Sequence, residues 1–429
     1  MTEPDRRAQR AAKRRLRKRH AAERRFRAYG AIAVTTGILA LVLLLGSTVA
    51  TAIPGFTHHV VELPFHFDEM RIDPSGNRDP GEIGRADYAR VVKEALRSVF
   101  PDVRGRRDQR ALRSLVSSGA AFDLRDRVLA DPSLLGTTTV LAVPLADDAD
   151  LMLKGAIDRT VPESDRRVSD QQIAWIDRWV AEGRIDRVFW TRFFTSGDSR
   201  EPELAGIRGA LVGTFWTLLV TLALSFPAGV AAAVYLEEFA PRGRFTSFVE
   251  VNINNLAAVP SIVFGLLGLA VFLGFFGMPR SSPLVGGLVL ALMTLPTVII
   301  ASRSAIRAVP PSIREAAMGI GSSPLQVVMH HVLPLAMPGI LTGTIIGMAR
   351  ALGETAPLLL IGMVAFIVDV PGGPTDAATA LPVQIFLWAD SPERAWVYKT
   401  SAAILVLLVF LVAMNLTAVL LRNRFERRW

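Results

Sequence analysis

The chain has 429 residues and a formal net charge of +9, and 51% of its residues are hydrophobic. The apolar residues gather into runs of about twenty with almost no charge, which a bilayer accepts and which argue against a soluble enzyme. The sequence has no cysteine, so disulfides, cysteine zinc sites and thiol nucleophiles are excluded. We recognise no nucleotide-binding loop, catalytic triad or metal-ligand spacing, and we therefore predict neither an enzyme nor a bound cofactor.

The positive charge has a local origin. Residues 1–29 hold 12 Lys and Arg against 3 Asp and Glu, which equals the whole net charge of the chain. A basic segment beside an apolar run is typical of a cytoplasmic flank that touches anionic membrane lipid. The segment lacks interleaved aromatic residues and any nucleic-acid-binding motif, so we do not expect it to bind nucleic acid.

Residues 31–53 carry no charge and are long enough to cross a bilayer as a helix. We therefore predict a first transmembrane helix at residues 31–54. A cleaved secretory signal is the alternative, because Ala50-Thr51-Ala52 resembles a cleavage site. The long basic segment and the length of the apolar run favour an uncleaved anchor.

Residues 55–207 are polar and rich in Asp and Arg. Apolar residues recur at helical spacing in 87–100 and 171–180, and residues 137–145 are rich in β-branched side chains. These patterns predict an inserted α/β domain, in which we find no catalytic motif.

Five further apolar runs follow the inserted domain, at 209–235, 252–276, 284–302, 339–368 and 400–421. With the first helix they predict an all-α membrane protein with six transmembrane helices. Arg residues are concentrated in alternate short loops, which places both termini in the cytoplasm of a bacterial inner-membrane protein. Residues 55–207 are then periplasmic, and the loop at 303–338 is cytoplasmic.

The cytoplasmic loop predicts two short helices with a joint between them. Gly321 suits the left-handed position that ends the first helix. Ser323 and Pro324 suit the cap and first position of the second. The second helix should present one apolar stripe, made by Leu325, Val328, Met329 and Val332. Such a rigid element can pass the motion of a separate ATPase to the transmembrane helices.

The loop at 314–334 resembles the EAA loop of importer permeases in the ABC transporter superfamily. The matching residues are Glu315, Ala316, Ala317, Gly321, Leu333 and Pro334. His331 departs from the pattern, because importer permeases usually have an aliphatic residue there. The resemblance implies the importer permease fold over residues 208–429, and it implies that the loop docks on an ATPase subunit.

The predicted fifth span contains Arg350 and Glu354. A charge at mid-membrane costs about 2.5–3.5 kcal/mol on insertion scales, so such residues usually face a pore or a partner. The two are four residues apart and should share a helix face, buried in the membrane part. Arg350 can hold an oxyanion with its planar fork while Glu354 positions or gates the anion. Alternatively, the two form a buried ion pair that fixes helix packing.

The segment 350–358 resembles the PstA family of permeases from the phosphate-specific importer, as do 258–265 and 381–386. The resemblance implies phosphate as cargo and a heterodimeric pore with a PstC-like permease. It also implies a PstB-like ATPase dimer and a PstS-like phosphate-binding protein. Family members often carry a basic residue near the cytoplasmic end of the fourth span, so Arg303 and Arg307 join the candidates for the translocation path. The domain at 55–207 departs from the shorter members of this family.

Two alternatives remain open at this point. A permease for another oxyanion, such as molybdate, sulfate or phosphonate, would use the same arginine chemistry. A membrane-anchored receptor with an extracytoplasmic sensing domain would need a cytoplasmic output domain, and every predicted cytoplasmic segment is short.

Overall fold

The computed structural model describes residues 3–241 and 243–425, and the side chains of residues 16, 18–241 and 243–424. The side chains at the start of the basic tail therefore lie outside the described residues. The chain divides between residues 51 and 52 into two compact units.

The first unit is essentially one helix, α1 (Glu3–Ala52). It contains the predicted first span, and the segment Lys18–Phe56 is long and apolar enough to cross a membrane. A helix over residues 31–52 is thus confirmed, although it begins far earlier in the chain than the apolar run.

The inserted domain contains a three-stranded antiparallel sheet with β1 (Thr57–His66) between β2 (Thr138–Pro144) and β3 (Ile185–Phe189). Its helices, in chain order, are α2 (Glu69–Ile72), α3 (Pro80–Ile83), α4 (Tyr88–Val99), α5 (Arg106–Arg113), α6 (Ala120–Ala130), α7 (Asp147–Leu153), α8 (Asp170–Ala181) and α9 (Arg192–Thr195). The two predicted helices correspond to α4 and α8, and the predicted strand corresponds to β2.

The core of the inserted domain forms where α4 packs on β1. Side chains of alternate strand residues point to the same face of a sheet, and Leu63 and Phe65 are fully buried there. Trp179 of α8 is also fully buried in this core. The domain therefore has a hydrophobic core of its own.

The remaining helices belong to the membrane part. They are α10 (Arg208–Val234), α11 (Arg244–Ala257), α12 (Ser261–Leu267), α13 (Pro283–Arg307), α14 (Pro311–Gly319), α15 (Pro324–Val327), α16 (Leu333–Gly353), α17 (Ala356–Leu360), α18 (Leu381–Ala389) and α19 (Ala395–Phe425). Turns of π-helix extend α10 to Phe239, α12 to Phe275, and α15 to Val332, where α16 begins. Within the described residues, five helices could cross a membrane, or six if α11 and α12 count as one bent span.

Two predicted spans are interrupted. Residues 252–276 were expected to form one helix, but α11 and α12 are bent by 102° where they meet. Pro260 lies at the bend, and proline disfavours helical backbone in the residue before it. The expected span at 339–368 ends early, because α16 stops at Gly353 and only the short α17 follows before a non-helical stretch.

Small residues set the contact between α13 and α16. Helices approach closely where one side chain is missing, which is a common way of packing helices in membranes. The facing pairs are Gly339 with Ala305, Gly343 with Ala301, and Gly347 with Thr294. The two helices are therefore antiparallel, and α16 residues three positions beyond Gly347 lie near the middle of the 25-residue α13.

The inserted domain and the membrane part belong to one compact unit. Phe193 is fully buried in one cluster with Trp388 and Trp396. Trp388 lies in α18, and Trp396 lies in the first turn of α19. Below, the helix ends next to this domain are called the domain side, and those next to residues 308–323 the loop side.

Candidate functional site

The loop between α14 and α15 has the predicted local structure. Gly321 adopts a φ of +91°, in the left-handed region that side chains with a Cβ rarely occupy. Ser323 caps α15 in a reciprocal capping box with Gln326, and Pro324 is the first helical residue. The joint is thus fixed by residues within a few positions of it.

The family-matching residues divide between surface and core. Glu315 and Ala316 are exposed, whereas Ala317 is buried against Val327 and Val332. Leu333 and Pro334 are partly buried where α16 begins. Because α15 continues through the π-turn into α16, residues Pro324–Gly353 make one 30-residue helical segment. The loop is therefore a direct extension of a transmembrane helix.

The predicted apolar stripe on the second loop helix is split. Val328 and Val332 are buried, but Leu325 and Met329 are about half exposed. One side of α15 packs against α14 and against the adjacent ends of the transmembrane helices. The other side of α15, which carries Leu325 and Met329, is left exposed. We define the loop patch as the four exposed apolar side chains on this surface, which are Met318, Ile320, Leu325 and Met329.

Arg314 ties the loop to two transmembrane helices. Its Nη2 and Nε donate to the Glu238 carboxylate at 2.7 and 3.2 Å, at the end of α10. Its Nη1 and Nη2 also donate to the carbonyl oxygens of Val309 and Ile306, at 2.7 and 3.0 Å. Charge-assisted bonds of this kind are strong and directional. These bonds connect α14 to the loop-side ends of α10 and α13.

Arg303 and Arg307 belong to the same group of ion pairs. Arg303 pairs with Glu237 and Glu250, and its side chain is only 11% exposed. The Arg307 Nε lies 2.7 Å from Glu237 Oε2. We call these residues, with Arg314 and Glu238, the loop-side ion network. It joins α10, α11, α13 and α14.

The structure does not bring Arg303 and Arg307 together with Arg350. From the facing glycine pairs, Arg350 is level with about residue 294 of α13, roughly 14 Å from Arg303 along the helix. Sequence reasoning missed the carboxylate partners of both arginines. The available signal was Glu237-Glu238, an acidic pair directly after an apolar run on the arginine-rich side.

Arg350 lies in the last turn of α16, level with the middle of α13, at the surface of the chain. The Arg350 side chain is 53% exposed in the isolated chain, whereas that of Glu354 is 22% exposed. The buried stripe Gly343–Gly347–Ala351 faces α13, and Arg350 flanks it. Glu354 follows the end of α16 in extended backbone, so the two residues do not share a regular helix. Their closest contact, Nε to Oε1, is 3.5 Å, which is long for a hydrogen bond.

The two helix interruptions meet near this level of the membrane part. Gly265 of α12 packs directly on Pro357 and Leu360 of α17, where a Cβ would lie 2.8 Å from the Pro357 Cα. These residues come from two segments that the sequence singled out separately. Discontinuous helices near the bilayer midplane are a recurring way of building transport sites. In the chain, Arg350 and Glu354 lie just before α17, which makes this contact.

Comparison with known proteins gives two matching family models. Residues 225–429 match the binding-protein-dependent transport system inner membrane component. Residues 13–163 match a domain of unknown function, DUF3333. The second match spans the predicted first helix and much of the inserted domain.

The alignment with this chain covers most of the length of two curated relatives. Phosphate transport system permease protein PstA 1 of Mycobacterium tuberculosis is 33% identical over 262 residues, covering 60% of this chain and 84% of the relative. PstA of Haemophilus influenzae is 30% identical over 223 residues, covering 52% and 78%. A solved structure of the MetNI methionine ABC transporter aligns with a TM-score of 0.39 and 19% identity over 51% of this chain and 97% of that chain, too slight a likeness to support a conclusion.

Proposed function

Because the chain belongs to the PstA family of phosphate transport permeases, we propose that it is one of two permease subunits of an ATP-driven importer of inorganic phosphate. Family membership supports phosphate as the cargo. The observation that carries the mechanism is Arg350, a half-exposed guanidinium level with the middle of α13, whose one hydrogen-bond contact among the described residues is the long one to Glu354.

A charged side chain at this depth is costly unless it faces water or a partner. Arg350 therefore lines a surface that a PstC-like permease completes as a pore, with the anion passing between the two subunits. Its planar fork can make two parallel hydrogen bonds to phosphate oxygens. Glu354 lies in the non-helical segment after α16, where a small backbone change would move it toward or away from Arg350. We assign it the role of positioning or gating the anion.

ATP hydrolysis is supplied by a separate PstB-like ATPase dimer that docks on the loop patch and Glu315. The continuous segment Pro324–Gly353 supports direct coupling, since its first turn meets the ATPase and its last turn carries Arg350. In this proposal Arg303 and Arg307 act in the loop-side ion network and not as ligands of the passing anion.

The protein is a multi-pass membrane protein, and we propose the bacterial inner membrane with both termini in the cytoplasm. Arginine-rich alternate loops support this orientation. The inserted domain then lies in the periplasm, on the side where a PstS-like phosphate-binding protein would deliver its cargo.

The test is phosphate uptake by the assembled importer with Arg350→Ala. We expect uptake to fall at least tenfold, while assembly and basal ATPase activity persist, because the only hydrogen-bond contact of the Arg350 side chain among the described residues is the long one to Glu354. Arg350→Lys keeps the charge without the fork and should be intermediate. Arg280→Ala, an exposed arginine on the domain side, is the matched control and should transport normally.

Loss of assembly in Arg350→Ala would instead support the alternative that the arginine fixes helix packing between subunits. Competition measures the anion specificity separately. If sulfate, molybdate or phosphonate blocked uptake as well as unlabelled phosphate does, the cargo would be another oxyanion.

A further inference from the structure

An apolar groove opens on the loop side between the end of α10 and the start of α11. It encloses about 340 Å³ and is lined mainly by Ala232, Leu236, Phe245, Val249 and Ile253. This volume lies within the range of about 300–1,000 Å³ that small-molecule sites usually have. α11 packs against α13, and the groove lies between α11 and the end of α10.

One end of the groove is basic and its edge is aromatic. Arg244 lines the groove and is exposed, and no carboxylate pairs with it among the described residues. Tyr235 and Phe245 are 54% and 75% exposed beside it. Aromatic side chains at the end of an apolar helix are typical of the interface between acyl chains and headgroups. The groove thus has an apolar body, an interfacial edge and a cationic mouth.

We propose that this groove binds one anionic phospholipid from the leaflet on the loop side. An acyl chain fills the apolar lining, and the headgroup phosphate pairs with the Arg244 guanidinium. Basic pockets between transmembrane helices commonly recognise anionic headgroups in this way. The combination of mouth charge and apolar body favours a lipid over a peptide or a second protein chain. The inference requires only that the protein spans a membrane, and it does not depend on the cargo.

Lipid binding here would act on the loop-side ion network. The groove residues Phe245, Val249 and Ile253 are on α11, whose Glu250 pairs with Arg303. The opposite wall is the end of α10, which carries Glu237 and Glu238. An occupied groove therefore holds α10 and α11 in the arrangement that pairs Glu238 with Arg314 of the coupling loop. If the chain couples to an ATPase as proposed above, bound lipid should also favour coupled transport over idle ATP hydrolysis.

Native mass spectrometry of the purified full-length protein provides the test. The protein is titrated with phosphatidylglycerol and, separately, with phosphatidylcholine of the same acyl chains. We expect the first anionic lipid to bind about fivefold more tightly, the factor that about 1 kcal/mol per basic residue gives. Arg244→Ala should abolish this preference, whereas Arg244→Lys should keep most of it.

Two further variants locate the site. Ile253→Trp fills the groove and should weaken binding of both lipids while leaving the thermal unfolding midpoint near that of the parent protein. Arg280→Ala removes an exposed arginine on the domain side and should change nothing. Equal affinities for the two lipids would overturn the proposal. So would an Arg244→Ala variant with unchanged preference, tight lipid binding by a folded Ile253→Trp, or an Arg280→Ala variant that loses the preference equally.

Discussion

Glu203 is a buried acid at the junction between the inserted domain and α19. Its side chain is 3% exposed, and its Oε2 atom has no hydrogen-bond partner among the described residues. A cavity of about 20 Å³ beside it is also lined by Lys154, Lys399 and Asp150. That space is large enough for one water molecule. The Glu203 carboxyl group is therefore largely removed from solvent where the inserted domain packs against α19.

Burial raises the pKa of Glu203 from 4.5 to about 7. The folded protein then binds this proton more tightly than the unfolded chain does, so stability falls as pH rises from about 4.5 to 7 and the full penalty persists above 7. Glu203→Gln removes the penalty. We expect it to raise the thermal unfolding midpoint at pH 8, by an amount corresponding to about 3 kcal/mol, and to have little effect at pH 5.

Thermal unfolding of the purified protein across this pH range checks the prediction. Glu163→Gln is the control, since Glu163 is an exposed acid elsewhere in the inserted domain, and it should not change the pH profile. An equal gain from Glu203→Gln at pH 5 and pH 8 would show that the amide packs better and that titration is not the cause.

Single residues were predictable where their role is local. Gly321 and Ser323 follow from helix capping, which depends on neighbours within four positions. The partners of Arg303 and Arg307 lie more than fifty residues away in the chain, and residue type alone does not choose them. For the same reason the sequence indicated that Arg350 is unusual but not that it is exposed on the surface of its own chain.

At the scale of helices, the docking and transmission roles that we propose for the loop fall on different residues. Glu315 is exposed and pairs with no basic side chain among the described residues, whereas Glu238 receives the bidentate Arg314. Glu315→Lys should therefore weaken capture of the ATPase subunit. Glu238→Gln should leave capture intact and lower the phosphate transported per ATP hydrolysed several-fold, because a hydrogen bond to a charged group is worth about 1.5–3 kcal/mol.

The two variants are compared by pull-down of the ATPase subunit and by uptake and hydrolysis in proteoliposomes. If both variants lost the ATPase, Glu238 would contribute to docking or to the folding of the loop. If Glu238→Gln transported with the parent stoichiometry, the ion network would have no part in transmission.

Hydropathy predicted the number of membrane segments but not their continuity. Apolar composition measures whether a stretch can stay in a bilayer, and it does not reveal where a helix bends. Pro260 and Gly353 lie at the two interruptions, but proline and glycine also occur inside continuous membrane helices. α12 and α17 meet through Gly265, and the residues in this contact are about ninety positions apart in the chain. A single sequence does not show which distant residues come into contact.

At the scale of the whole molecule, the inserted domain is more closely integrated than a spacer loop would be. The Trp190 N–H donates to the Phe56 carbonyl at 2.8 Å, so the chain leaves the membrane part and returns to it at one point. The residues that follow, including Phe193, pack against Trp388 and Trp396 of the membrane part. The aromatic junction thus comes largely from segments outside the three-stranded sheet.

This geometry allows the sheet and its helices to be removed as a unit. Joining Phe56 to Trp190 through a two-residue glycine turn would delete residues 57–189 and keep Phe193 in its aromatic contacts. We expect the shortened chain to insert and to assemble with the second permease and the ATPase. Lys399, now buried beneath the domain, would become solvated, which is favourable for an ammonium group. Co-purification of the three subunits and basal ATPase activity measure this outcome. A shortened chain that fails to accumulate in the membrane, while Trp179→Ala within the domain is tolerated, would show that the sheet itself is needed to hold α19 in place.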